Sequence, residues 1–125
     1  GQDLALDHYE SRGGLAGSHY SGLQFRGARD LLDEHGDGRI GMTADGGLAG
    51  EAAVQGAETA GMEWNCQHDG TLRRTRIRFE NLDGPIPWFV RAKNPLAAFS
   101  FHRGTHVLSA GGTLRLDHRM TLFNA

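Results

Sequence analysis

Alternation of apolar and polar residues dominates the second half of the chain. In residues 71–80, Thr75, Ile77 and Phe79 fall on one face of an extended segment, while Arg74, Arg76, Arg78 and Glu80 fall on the other. Residues 62–67 predict a second strand, and His68-Asp69-Gly70 between the two suits a hairpin turn. The clearest pattern lies in residues 113–123. There Leu114, Leu116, His118, Met120 and Leu122 share one face, and Thr113, Arg115, Asp117, Arg119 and Thr121 the other. Wound as a helix, the same apolar positions would scatter around the axis. Ala110-Gly111-Gly112 supplies the preceding turn. Pro85 and Pro87 bracket Ile86 ahead of Trp88-Phe89-Val90, which predicts a rigid approach to a strand, because proline cannot donate to a ladder. Residues 97–101 alternate around Ala97, Phe99 and Phe101, and His102-Arg103-Gly104 follow as a turn.

The first half carries weaker signals. Residues 20–25 and 38–43 predict short strands, and residues 28–34 fit either a strand or one helical turn. Residues 44–61 are rich in Ala and Gly and suit a crossing loop or two weak strands around Val54. A helix ranks third there, since Gly50, Gly56 and Gly61 would each cost about 1 kcal/mol inside one. Together the segments predict an all-β fold, an antiparallel β-sandwich of eight or so short strands.

Composition narrows the picture. At 125 residues the chain fits a single domain, 1–125. Fifteen of its 19 glycines lie in the first 70 residues, which favours turns and close backbone approaches over helix. The lone Cys66 cannot close an intramolecular bridge. Thirteen basic and 15 acidic residues give a net charge of -2, so phosphate neutralisation is not a driving force and no nucleic-acid partner is expected. Residues 1–62 hold four Arg against ten acids, about -6, and residues 63–125 hold nine bases against five acids, about +4. That split can help two parts of one fold, or two copies, to pair. No apolar run approaches the roughly 20 residues needed to cross a bilayer, so no membrane partner is expected and a cytoplasmic location is the working assumption.

Candidate chemistry is sparse. Asp33, Asp37, Gly38 and Ile40 occupy calcium-loop places, but His35 replaces an oxygen ligand and Ala44 stands where a bidentate Glu belongs. The stretch reads as a glycine turn. Glycine pairs elsewhere lack a following helix, so no nucleotide or other cofactor is expected. Among the seven histidines, His102 and His106 are four apart and would need a bend at Arg103-Gly104-Thr105 to act together; a metal site from His118, His19 and a carboxylate is the weaker reading, and no metal is expected. His118 is singular because it sits on an apolar strand face, either as a satisfied core histidine or as the acid-base floor of a cleft. Trp64, Trp88 and the arginines Arg74, Arg76, Arg78 and Arg91 offer planar faces and forked guanidiniums for a polar ring or a carboxylate. The same arginines also suit a solvated strand face. Cys66 next to His68 and the scattered Ser, His and Asp residues show no nucleophile signature.

Four segments carry a resemblance: residues 19–31 (HYSGLQFRGARDL), 50–56 (GEAAVQG), 85–101 (PIPWFVRAKNPLAAFSF) and 108–125 (LSAGGTLRLDHRMTLFNA). They resemble the carboxy-terminal half of a bacterial family labelled methane oxygenase PmoA-like, through the proline-rich approach to Trp-x-Val-Arg, the Asn-Pro before an apolar strand, and the glycine turn into a long final strand. The resemblance covers most of this chain and about half of the family domain. It implies a β-supersandwich of the kind shared with galactose mutarotases and polysaccharide lyases. It further implies that His19, Arg26, Arg29, Trp88, Arg91 and His118 line a sugar-binding concave face.

Two functional readings follow. In the first, the sandwich binds or acts on a saccharide ligand, with His118 or His19 as general acid or base and Arg26, Arg29, Trp64, Trp88 and Arg91 as ligand contacts. It requires an open polar cleft floored by His118 with a Trp exposed beside it. In the second, a non-catalytic interaction domain, a fragment or small subunit, is completed by self-association or by a companion half. It requires His118 buried, no cleft, and a large apolar or β-edge interface.

Overall fold

The computed structural model of the chain describes residues 1–8, 10, 12–14, 17–19, 21–33, 35–36 and 38–124. In chain order the elements are β1 (Leu4–Leu6), β2 (Gln24–Arg26), β3 (Leu31–Leu32), β4 (Gly41–Ala44), β5 (Leu48–Ala49), the helical turn α1 (Glu51–Val54), β6 (Glu58–Thr59) and β7 (Gly61–His68), then β8 (Arg74–Asn81), β9 (Ile86–Pro87), β10 (Phe89–Arg91), β11 (Leu96–Ala98), β12 (His106–Leu108) and β13 (His118–Asn124). The largest sheet runs β13-β8-β7-β4-β5, with β3 pairing beside β4 on the same edge of β7. A second sheet runs β10-β11-β2, and β1–β12 and β6–β9 form two-stranded ribbons. The result is an all-β fold of several antiparallel sheets, consistent with a β-sandwich.

The period-2 pattern decides which face of the large sheet is buried. Met62, Trp64 and Cys66 of β7 and Ile77 and Phe79 of β8 point inward. They meet Phe25, Val90 and Ala97 from the inner face of the small sheet, together with Trp88 and Phe99. Aromatic rings fill the interlayer: Phe79 lies 4.9 Å from Trp64 and 5.5 Å from Phe25, and Trp88 lies 4.9 Å from Phe99. The opposite face of the large sheet carries the arginine stripe, held by carboxylates. Arg76 meets Glu63 at 3.0 Å, Arg78 forks onto Asp45 at 3.1 and 3.2 Å, and Arg119 onto Glu80 at 3.1 and 3.3 Å. This is the solvated strand face.

The hairpin before β8 is longer than His68-Asp69-Gly70. His68 N donates to Arg73 O, and Leu72 takes φ +56° within the turn, which displaces Thr71–Arg73 from the ladder. The final strand is shorter at its start than the alternation predicts, for a pairing reason. Its only neighbour among the described residues, β8, ends at Asn81, and Asp117 N is taken by the Asp83 carboxylate at 2.9 Å. Leu114 and Leu116 therefore stand outside the sheet. The predicted strand at 97–101 runs over Leu96–Ala98, and the Trp88-Phe89-Val90 strand is broken at Trp88, whose N–H and C=O bond to Ala57 and Gly56.

Residues 51–54 are helical, against the expectation of a loop or strand. The glycines counted against a helix lie outside it, Gly50 at φ +89° capping its start and Gly56 at φ +76° beyond its end, so no interior residue pays their cost. Val54 is fully buried against the core, and Glu51 accepts the N–H of Ala92. Tyr20, Glu34 and Asp37, at the margins of the predicted early strands and turn, lie outside the described residues.

Candidate functional site

The N-terminal segment returns over the outer face of the small sheet, formed by Phe89, Leu96 and Ala98. There His19, only 1% exposed, packs edge-on against Phe89 with ring centres 5.8 Å apart. Its Nε2 lies 3.3 Å from the Trp88 carbonyl. A carbonyl only accepts, so in the neutral ring Nε2 carries the proton and Nδ1 presents a lone pair. Glu10 Oε2 stands 3.8 Å from that nitrogen and also accepts from Gly17 N at 2.9 Å. Burial pushes the His19 pKa down, helped by Arg103, while the Trp88 bond and Glu10 pull it up.

His19 begins a row of four imidazoles. His8 lies 6.4 Å from His19 and 5.3 Å from His102, and His102 lies 5.9 Å from His106. The bend that His102 and His106 need is made at Gly104, at φ +75°. His102 Nδ1 donates to the Gly104 carbonyl at 2.9 Å, which fixes the tautomer and leaves Nε2 as a buried lone pair with no partner among the described residues. Burial also pushes the His102 pKa down. Phe101 packs edge-on to both His102 and His106.

A cleft of about 420 Å³ opens beside this row, lined by Leu6, Asp7, Ser21, Phe101, His102 and Leu114 among others. Ser21 Oγ is buried without a partner among the described residues, although the Ser21 backbone N–H is held by Ser100 Oγ at 3.1 Å. Asp7 Oδ1 is engaged by the Thr105 hydroxyl. Ser21, His102 and Asp7 do not form a hydrolytic triad, since the His102 Nδ1 proton goes to Gly104 and no hydrogen bond joins the serine to Nε2. Among the described residues no group of three or more His, Cys, Asp or Glu side chains is disposed to hold a metal ion.

The residues singled out from sequence do not converge. His118 opens β13, its ring tilted over Phe99 at 4.2 Å on the inner side of the small sheet, whereas His19 lies on the outer side against Phe89. The sheet stands between them, so they cannot share one proton-transfer site. His118 Nδ1 is buried and without a partner among the described residues, and burial pushes its pKa down against the pull of Asp83 and Asp117. Trp64 and Trp88 are 0% exposed and present no ring face to a ligand. Trp88 Nε1 donates to both the carbonyl and hydroxyl of Thr59. Arg26 and Arg91 flank Leu96 on the outer face of the small sheet, and Arg91 lies over Phe89 at 5.6 Å, while exposed Arg29 occupies the turn beyond β2. Cys66 is buried, which pushes its thiol pKa up, and His68 is turned to Asp30 at 2.7 Å.

His8, Ser21 and Asp7 carried no sequence signal, because each reaches the His102 turn from the other end of the chain. The hydroxyl and imidazole have no spacing in common, and only the fold sets them around one cleft. Comparisons with protein-family models, with curated proteins and with solved structures found no match.

Proposed function

We propose that the chain is an interaction domain that pairs with a second copy of itself along the outer edge of β13. The observation that carries this reading is the position of Leu122. It stands in register with Ile77, which is 4% exposed, yet it is itself 67% exposed. The inner face of the large sheet thus runs past the part that the small sheet covers.

The edge is equally open. Among the described residues β13 pairs with β8 alone. Asp117 O accepts from Leu82 N at 2.9 Å, so backbone groups of the odd-numbered residues point toward β8 and those of Met120 and Leu122 point outward. A strand of seven residues with free donors and acceptors is a template for another strand. Antiparallel pairing of two copies about Thr121 sets Met120 opposite Leu122 on the inner face and Arg119 opposite Phe123 on the outer face. No like charges stand directly opposite one another, and the Arg76 guanidinium that already lies over Phe123 at 4.2 Å would be the neighbour of the incoming Arg119. This complementarity favours a second copy over an unrelated strand. The two large sheets would then join edge to edge, the kind of extended layer that a supersandwich requires.

The saccharide reading has less support. Its aromatic platform is lost with Trp64 and Trp88 in the core, and its two histidines lie on opposite sides of a sheet. Fold-level likeness alone does not supply the chemistry.

Light scattering and sedimentation of the wild-type chain and Leu122→Lys test the proposal. Two paired strands bury less than a standard interface, so association is expected at about micromolar concentration or above. The mass should rise toward twice 13.6 kDa with concentration, and Leu122→Lys, at an exposed position, should stay monomeric with an unchanged monomer fold. A wild-type chain that remains monomeric into the millimolar range, or a lysine variant that associates equally well, overturns it.

A further inference from the structure

We propose that Asp30, His68 and Thr71 form an acyl-transfer site in which the Thr71 hydroxyl attacks activated esters. The three side chains are joined in a row: His68 Nε2 lies 2.7 Å from Asp30 Oδ2, and His68 Nδ1 lies 3.1 Å from Thr71 Oγ1. A nucleophile within hydrogen-bond reach of a base, with the base oriented by a third group, is the arrangement that activates a hydroxyl. The row is open to solvent. Thr71 is exposed, and the side chains of His68 and Asp30 are 40% and 50% exposed.

The proton positions follow from the partners. The Asp30 carboxylate only accepts, so Nε2 carries the ring proton. The Thr71 backbone N–H only donates, and at 3.2 Å from Nδ1 it requires a lone pair there. The Thr71 hydroxyl therefore also donates to Nδ1, the bond through which a general base takes a nucleophile's proton. Its oxygen is steadied by the Arg73 N–H at 3.4 Å.

The fold sets this row in place from two segments. Leu31 of β3 stands opposite His68 of β7, and Asp69 N donates to Asp30 O at 2.9 Å, which brings the Asp30 carboxylate to the hairpin. Within the hairpin Leu72, at φ +56°, donates its N–H to His68 O at 2.7 Å and so turns Thr71 back toward the imidazole. None of the three residues belongs to β13, so the site is independent of the self-pairing edge.

Thr71 Oγ attacks the acyl carbon while its proton passes to His68 Nδ1, and the bond to the leaving oxygen breaks as that oxygen takes the proton from Nδ1. Acyl-Thr71 and a free phenol or alcohol result. Water then attacks the acyl carbon and gives a proton to Nδ1, and the carboxylic acid leaves as Thr71 Oγ recovers that proton. Asp30 is a positioning residue: it holds the Nε2 proton and stabilises the imidazolium formed in each step. Because Thr71 stands in solvent, the leaving group must depart readily on its own, which selects aryl esters over amides.

Rapid mixing of the full chain with para-nitrophenyl acetate, followed by peptide mass spectrometry, tests the inference. An acetyl group should appear on Thr71 with an initial burst of nitrophenol, because the alkyl ester formed is less reactive than the aryl ester that formed it. Thr71→Ser should keep both signals and Thr71→Ala should lose both. His68→Gln should slow acetylation at Thr71 by about 100-fold or more, the contribution of a general base. Ring-nitrogen chemical shifts of His68 read the role of Asp30: the wild-type ring should carry its proton on Nε2, and Asp30→Ala should mix the two tautomers and slow acetylation. Acetyl groups confined to Lys93, the N-terminal amine or histidine rings, a wild-type burst in Thr71→Ala, or a neutral wild-type ring protonated on Nδ1 would each overturn it. The acetylation map and the ring shifts use the wild-type chain and stand even if a variant fails to fold.

Discussion

Trp88 donates its indole N–H to Thr59 twice over, to the carbonyl at 3.0 Å and to the hydroxyl at 2.9 Å, and that hydroxyl in turn donates to Gly61 O at 2.8 Å. Trp64, equally buried, has an Nε1 with no partner among the described residues. The two indoles fill the same core but differ in what their nitrogens contribute. Replacing Trp88 by Phe removes volume and leaves Thr59 without its donor, so about 2–4 kcal/mol of stability should be lost. Replacing Trp64 by Phe removes similar volume together with an unsatisfied donor, and should cost at least about 1 kcal/mol less. Urea unfolding of the two variants ranks them; equal losses would mean that Trp64 Nε1 is satisfied in solution.

Acid should weaken the fold as its buried histidines take up protons. His19, His102 and His118 all have pKa values pushed below the ordinary 6.5, with burial the largest cause in each. The unfolded chain takes up these protons near pH 6.5, and the folded chain only at lower pH. The unfolded state therefore binds more protons in that window, and stability rises with pH there. Their contribution is complete above about pH 6.5 and is lost as the pH falls through the folded values. Thermal melts should show a lower Tm at pH 5.5 than at pH 7.5, and His118→Phe should reduce the difference. The ring packs on Phe99, so the phenyl group keeps that contact and removes the buried Nδ1. A Tm that holds or rises on acidification contradicts the assignment.

Gln55 ties three distant segments together. Its Oε1 accepts from Val90 N at 2.7 Å, and its Nε2 donates to Gly17 O at 3.0 Å. Gln55→Ala strands the Val90 N–H beside a core residue and should cost about 1–3 kcal/mol. Gln55→Glu keeps the acceptor for Val90 N but sets a carboxylate oxygen against the Gly17 carbonyl, so it separates the two bonds: the Val90 amide stays bonded while the Gly17 contact is lost. Amide exchange at Val90 provides the local readout, accelerating in the alanine variant and changing little in the glutamate one.

Strands with one buried and one solvated face were legible from residue order alone. In β7 and β8 the alternation of Met62, Trp64 and Cys66 with Glu63 and Asn65, and of Ile77 and Phe79 with Arg76 and Arg78, is imposed by a period of two and a single core. The arginine stripe and the all-β class follow from the same periodicity. Local pattern could not place the ends of elements, because those depend on partners. Residues 113–117 alternate as well as 118–124 do, yet only the latter have β8 beside them. The turn at Glu51–Val54 was hidden by flanking glycines whose positive φ serves the chain just outside it.

Residue order alone dictates antiparallel sheet with one buried and one solvated face, since burial of alternate residues is a local property of the order of side chains. It also marked His118 as unusual on its apolar strand face, while His19 entered only as a candidate beside it. What those residues face is set by contacts between distant segments. The two tryptophans went inward because the interlayer between the sheets needed their volume, which removed them from any ligand surface. The row from His19 to His106 and the placing of Ser21 and His102 at one cleft arise from contacts between the two ends of the chain. Juxtaposition across such a separation depends on chain closure, which no spacing along the sequence records.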